Sequence, residues 1–492
     1  MKNSIWLLVP ILLPIIVSAL IPIINFKQRI RRELNVGIFV VINTIITFFI
    51  IFFGPTGRIE LVQMSNNLSI ALKVDGLSRV FASLVAGLWP FATLYAFEYI
   101  KHEKRDNTFF TFYTASFGVT LGVAFAANLC TLYFFYELLT LATLPLVMHS
   151  MNEKSIKAGL TYIKYSIGGA AFGFISLIFI IIYGNANDFI LGGVLNLEKI
   201  GDKTNLLLLV YLFAFFGFGV KAAIFPFHAW LPNASVAPTP VTALLHAVAV
   251  VKSGVFALMR VTYFCFGADF LRGTYAQYVA MAFAIITIIY GSSMAVREQH
   301  IKRRLAYSTI SNLSYIIFGI TLMTPAGLVG GVAHMVFHGI MKIALFCCVG
   351  AIMYKTHKEY LHEIDGYGYC MKSVFAVFTI ASMALVGIPP LTGFISKWNL
   401  AGAAVEAGEF FPNAGVFALI ISAVLTSIYL FTVVVRAYFP ENGVNEVVLK
   451  KVSDPNWRMI LPLFVFTVAI IAFGVHSQPL IHYFVKIATG LV

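Results

Sequence analysis

Apolar stretches of the roughly 20 residues needed to cross a bilayer recur from end to end of the chain, separated by short polar connections. Their centres fall near residues 14, 45, 89, 118, 139, 170, 216, 250, 286, 314, 341, 385, 427 and 468. Each predicts a helix, because hydrocarbon offers no hydrogen bonds and a helix satisfies its own backbone. The longest polar connections, near 55–78, 184–204, 355–371 and 439–457, leave no room for an extramembrane domain. The first run begins almost at Met1 and has no small-residue cleavage site, so it reads as a retained helix. The pattern predicts an all-α membrane protein with about fourteen transmembrane helices, one polytopic domain over residues 1–492.

Two regions break the helical pattern deep in apolar sequence. One runs from Lys221 through Pro226, His228, Trp230 and Pro232 to Pro238 and Pro240; the other runs from Gly387 through Pro389, Pro390 and Gly393 to Lys397 and Trp398. Proline removes a backbone donor and clashes with the preceding turn. Irregular backbone at membrane depth is tolerated only where protein buries it or it lines a cavity. A pair of interrupted segments in the two halves of a chain points to an inverted-repeat transporter.

Charges then stand where lipid disfavours them. Glu137, Lys221, Lys252, Lys342 and Lys397 lie inside, or at a break in, apolar runs. One such charge at mid-membrane costs about 2.5–3.5 kcal/mol, and such residues mark ion or proton paths. Glu137 reads as the counter-charge of a lysine, or as a carboxylate fixing helix packing. Lys221 reads as a proton-exchanging amine or as a cap on carbonyls freed by the break, roles that are compatible. Lys252 lies well inside its run, with Arg260 as the expected helix end, and reads as a relay group. His334, His338 and Lys342 are spaced four and four, which stacks them on one helix face as a proton wire. The histidine pair alone could hold zinc, but no third ligand is evident nearby. His246 and His228 are weaker candidates. Arg303 and Arg304 read equally as a charged hinge or as an anchor at the cytoplasmic surface.

Composition agrees with the membrane reading: 60% of the 492 residues are hydrophobic and 11% charged, against about 25% charged in soluble domains. The net charge of +13 reports orientation in the membrane, and no nucleic-acid partner is expected. The basic residues alternate between connections: Lys27, Arg29, Arg31 and Arg32; Lys101, Lys104 and Arg105; Lys154 and Lys157; Arg297, Lys302, Arg303 and Arg304; Lys355, Lys358 and Lys372; Arg436, Lys450, Lys451 and Arg458. Such a bias marks cytoplasmic loops and puts both termini outside the cell membrane. Cys130, Cys265, Cys347, Cys348 and Cys370 form no metal or iron–sulfur spacing, and no nucleotide fingerprint is present. We therefore expect no bound nucleotide, iron–sulfur cluster, haem or metal.

The stretches carrying Pro226, His228, Trp230 and Pro232, then Ala237, Pro238, Pro240 and His246, then Arg304, Tyr307 and Ser308, then His334, His338 and Lys342 resemble one family. It is the antiporter-like subunits of respiratory complex I (NADH-quinone oxidoreductase), membrane-bound hydrogenases and Mrp-type Na+/H+ antiporters. The resemblance covers about residues 70–440. It implies fourteen helices with two inverted five-helix repeats, about 105–263 and 275–438, and broken helices 7 and 12. It makes Glu137 and Lys221 the paired charges, Lys252 the bridging lysine, His334, His338 and Lys342 the central relay, and Lys397 the terminal residue, with His246 beside them. The long lateral helix of complex I's distal subunit is not expected. The function implied is a proton-translocating, or Na+-translocating, subunit of a redox-driven complex, with no redox centre of its own. Its partners would be sister antiporter-like subunits and a redox or hydrogenase arm in the lipid bilayer. The alternative is a subunit of a gradient-driven Mrp-type antiporter.

Overall fold

Several helices begin where the sequence supplies an oxygen to the free N–H groups of a first turn. Asp75 accepts from Ser78 N at 2.9 Å, Asn128 from Thr131 N at 2.8 Å, Asn152 from Ser155 N at 2.8 Å and Thr324 from Gly327 N at 3.0 Å. The computed structural model describes residues 2–54, 57–65, 68–440 and 452–492. Lys450 and Lys451 lie outside the described residues.

The chain opens with α1 (Val9–Ile24) and α2 (Arg29–Phe53), followed by an antiparallel hairpin of β1 (Ile59–Ser65) and β2 (Leu68–Leu72) in the first long connection. Next come α3 (Gly76–Tyr99), α4 (Asp106–Ala124), α5 (Leu129–Val147), α6 (Glu153–Tyr183), the short α7 (Leu197–Ile200) and α8 (Thr204–Gly219). Three pieces, α9 (Trp230–Ala234), α10 (Thr239–Ala247) and α11 (Val250–Met259), lead to the short α12 (Ala268–Leu271). The second half holds α13 (Tyr275–Arg297), α14 (Ile301–Thr321), α15 (Pro325–Thr356), α16 (Lys372–Val386), α17 (Thr392–Ala407) and α18 (Phe410–Tyr438). It closes with α19 (Trp457–Val475) and α20 (Gln478–Ala488).

Eleven helices among the described residues are long and apolar enough to cross a membrane. The α4 and α14 helices and the interrupted pair α16–α17 lie among them and fall short of that combination of length and apolarity. The apolar windows of Pro325–Thr356 and Thr239–Phe266 are wholly buried, whereas that of Arg29–Phe53 is 33% buried. So α15 and α10–α11 form the centre, and α1 and α2 present Ile23, Ile38, Phe49 and Phe53 outward as a lipid-facing surface does. Around α15 pack α3, α10, α14, α16, α17, α19 and α20.

Both interruptions read from proline are present, and protein groups satisfy the irregular backbone. After α8, Trp230 Nε1 donates to Val220 O at 2.8 Å, and Phe225 N donates to Thr287 Oγ1 at 3.0 Å. Gly387 ends α16 at φ 101°, a left-handed conformation that glycine adopts without steric penalty. A third interruption corrects the view of Lys252 as lying well inside a continuous helix. The backbone leaves helical geometry at Val248 and Ala249, whose N–H groups both turn to Leu244 O at 3.0 and 2.9 Å. Lys252 therefore sits in the first turn of α11. Arg260 is not a helix end either: the chain continues as a π-helix over Arg260–Phe266. Its buried guanidinium holds Asp75 through two bonds of 2.6 and 2.7 Å, and Ser78 Oγ at 3.0 Å. An arginine in apolar sequence found a carboxylate at the start of α3 instead of water.

Candidate functional site

The first charge pair joins α5 to the break after α8. Lys221 is fully buried, and its Nζ lies 3.5 Å from Glu137 Oε1, over the Tyr136 ring at 3.4 Å from the centroid. The same ammonium donates to Tyr136 O. Glu137 keeps 26% of its side chain exposed, so the pair has one dry and one accessible member. Tyr136 is held in turn by donation from its hydroxyl to Phe218 O at 3.0 Å.

The second cluster is built on α15, where period four puts His334 and His338 on one face. Their rings stack with centroids 5.6 Å apart and planes 16° apart. His338 Nδ1 lies 2.5 Å from Lys252 Nζ, across from the first turn of α11. His334 Nδ1 lies 2.9 Å from Ser396 Oγ on α17, and its ring stacks on Tyr315 at 5.2 Å. A file of buried groups thus runs Lys252, His338, His334, Ser396, in contact at each end and joined in the middle by ring stacking. The residue after Ser396 is Lys397. Its Nζ stands 5.2 Å from the Tyr315 ring centroid and donates to Leu385 O and Val386 O at 2.7 and 2.9 Å, so it caps carbonyls freed by the second break.

Lys342, the third member of the period-four set, makes its hydrogen bonds to α14 and not to the histidines. Its Nζ donates to Leu305 O at 3.1 Å and Ser308 Oγ at 2.7 Å on α14, and Ser308 meets the Tyr429 hydroxyl at 2.6 Å. Arg304 supports that corner by donating to Tyr429 O at 2.8 Å and to Glu298 O at 2.8 Å. Arg304 is buried at the α13–α14 corner, while the Arg303 side chain is 44% exposed beside Glu298. His246 is buried against the Phe346 ring at 4.7 Å, with both ring nitrogens unpartnered. His228 lies apart, between Phe225 and Tyr290.

The two clusters touch through backbone. A Cβ placed on Gly254 of α11 would stand 2.6 Å from Ala222 N and 2.9 Å from Lys221 C, so only glycine lets α11 lie against the first break. Among the described residues no three His, Cys, Asp or Glu side chains converge as a metal site, and the lysine beside His338 would repel a cation. Nothing in the local sequence marks Tyr429 or Tyr315 as partners. Ser396 could have been suspected as a hydroxyl beside an intramembrane lysine.

This geometry can pass protons, because ammonium, imidazole and hydroxyl groups all exchange them and stand within or near contact. Relatives carry the same fold. The sequence family described as NADH:quinone oxidoreductase/Mrp antiporter, TM, matches residues 126–426. NADH-quinone oxidoreductase subunit N of Desulforudis audaxviator is 28% identical over 434 residues, 85% of this chain and 84% of that protein. One of the Na(+)/H(+) antiporter subunits of Alkalihalophilus pseudofirmus is 28% identical over 87% of this chain, which spans only 55% of its length. Among solved structures, the Mrp complex from Dietzia sp. DQ12-45-1b superposes with a TM-score of 0.85 over 100% of this chain and 98% of that one, at 20% identity. A chain of the archaeal membrane-bound sulfane sulfur reductase superposes at 0.84, covering 98% and 96%, at 22% identity. With the matched region spanning most of the chain and all of the buried file, this protein belongs to the family of membrane subunits shared by NADH:quinone oxidoreductases and Mrp antiporters.

Proposed function

We propose that this chain is a proton-translocating subunit of a redox-driven membrane complex, in which the buried file from Lys252 to Lys397 carries the proton. The observation that supports this most directly is the contact of Lys252 Nζ with His338 Nδ1 at 2.5 Å, continued through stacked His334 to Ser396. Glu137 is the accessible counter-charge of Lys221, and its approach or withdrawal changes how firmly Lys221 holds its proton. That proton passes through bridging water to Lys252, on the helix that packs against the first break at Gly254, then along the imidazoles. Lys397 is the far end of the file, and Lys342 with Ser308 and Tyr429 is a branch that stores or exchanges a proton against α14. The free imidazole nitrogens of His246, His334 and His338 give bridging waters something to bind. The two broken segments, with Lys221 and Lys397, are the corresponding parts of two inverted repeats, about 105–263 and 275–438. Both termini face outside, and sister membrane subunits flank the chain.

The test is proton uptake by membrane vesicles carrying Lys221→Ala and Lys342→Ala. Translocation is expected to fall to background in both while the complex still assembles; pumping retained in both would overturn the reading. Mass spectrometry of what co-purifies in mild detergent addresses the drive. Iron–sulfur, flavin or hydrogenase subunits are expected. Sister antiporter chains with only small hydrophobic subunits would replace the redox drive with an ion gradient.

A further inference from the structure

A cleft of about 440 Å³ opens beside the relay helix, between α2, α3, α15, α19 and α20. Its walls are apolar, with Phe48, Leu88 and Phe466 among them. It follows α3 from Arg79 to Phe91, about 18 Å at 1.5 Å per residue. That is a little more than one leaflet of a hydrocarbon core roughly 30 Å thick.

One end is different. Arg79 lines the cleft in the first turn of α3 with its Nε buried and unpartnered, and no side-chain hydrogen bond or ion pair engages its guanidinium among the described residues. Tyr483 of α20 lines the same cleft with a buried, unpartnered hydroxyl. The polar pair belongs to one end because α20 packs at the start of α3: a Cβ on Gly76 would stand 2.8 Å from Ile487 Cγ1. An unpaired cation in an apolar wall is costly and asks for an anion. Cation at one end and hydrocarbon along the rest describe the complement of an anionic amphiphile.

The back wall explains what an occupant would do. From Gly327 to Ile352 every α15 residue is buried except Val336, which lines this cleft on the face of α15 opposite His334 and His338. A hydrocarbon chain lying there covers the one opening onto that stretch of the relay helix. We propose that the cleft is a binding site for an anionic phospholipid, one acyl chain lying along α3 against Val336 and Ile340, the phosphate on Arg79 and Tyr483. A lone sulfate or phosphate would leave the apolar length unfilled, and a transmembrane helix is too wide for the volume.

The experiment is native mass spectrometry of the complex, delipidated and then titrated with phosphatidylglycerol or phosphatidylcholine of identical chains. Wild type is expected to retain phosphatidylglycerol about fivefold more strongly, the worth of one arginine near an anionic headgroup. Arg79→Gln is expected to remove that preference. Gly87→Leu should weaken both lipids by at least about tenfold, since several methylenes are displaced. A Cβ at Gly87 meets only Phe48 Cζ, at 3.9 Å, so the substituted side chain enters the cleft from an unobstructed Cβ position. Thermal melting of both variants checks that they fold. Equal retention of the two lipids by wild type, or unchanged retention in both folded variants, overturns the proposal. So does a cleft that takes lipid only after a sister subunit is stripped away.

Discussion

Among the described residues Lys252 has no acidic partner: its amine meets an imidazole in a wholly buried setting. Burying an ionisable group without a counter-ion costs stability, so an apolar residue of similar volume should be tolerated at least as well. Lys252→Met should therefore melt at the same temperature or higher, while proton uptake by vesicles falls about a hundredfold, the worth of a placed proton-transfer group. A lower melting temperature with uptake intact would make Lys252 a structural residue. Ser396 offers a finer contrast. Ser396→Ala leaves His334 Nδ1 buried without its partner, which costs about 1–3 kcal/mol. Uptake should slow in that variant without vanishing, because water can stand in for a hydroxyl.

The sequence showed the charges in the apolar runs plainly, since a lysine among leucines has no bland surface to occupy. Their partners were not legible. Period four places His334, His338 and Lys342 on one face of α15, but it does not say that Lys342 bonds to Ser308 on a different helix. Periodicity fixes where a side chain leaves its own helix, and tertiary packing decides what it meets.

At the scale of elements, prolines announced two breaks, and the third went unseen because Val248 and Ala249 are ordinary helix residues. That break is a product of packing: α11 is drawn onto the Lys221 segment at Gly254, where two backbones meet. Gly254→Ala should push them apart, since neither backbone can yield as a side-chain tip can. A loss of about 1–3 kcal/mol is expected, together with slowed proton uptake. Gly402→Ala is the control: its Cβ would meet nothing within 4 Å, and alanine should add about 0.5–1 kcal/mol in a helix. Equal melting of the two variants would contradict the close approach. The Asp75–Arg260 pair ties α3 to the π-helical turn after α11, across 185 residues of sequence. Asp75→Ala strands a buried guanidinium, and about 3 kcal/mol should be lost, read as a drop in melting temperature. An unchanged melting temperature would mean that Arg260 finds water or another acceptor.

Across the whole molecule, the basic connections gather on one face. Arg458 of α19 meets Glu33 of α2 at 2.8 Å, and Lys101 lies 3.7 Å from Glu98 nearby. Gly366 N donates to Arg436 O at 3.0 Å, and His300 pairs with Tyr360. The C-terminus lies at the other face, where Val492 packs by Gly76 and Arg58 holds Asp188 at 2.9 Å. Membrane insertion retains lysine- and arginine-rich loops in the cytoplasm, so the basic face should be internal and the C-terminal face external. Two exposed positions test this: Leu491 beside the C-terminus and Lys154 at the start of α6. With the five native cysteines replaced, Leu491→Cys should react with a membrane-impermeant maleimide in intact cells. Lys154→Cys should react only after permeabilisation. The reverse pattern would invert the molecule, and Glu137, Lys221 and the file behind them would then have to carry protons in the opposite sense.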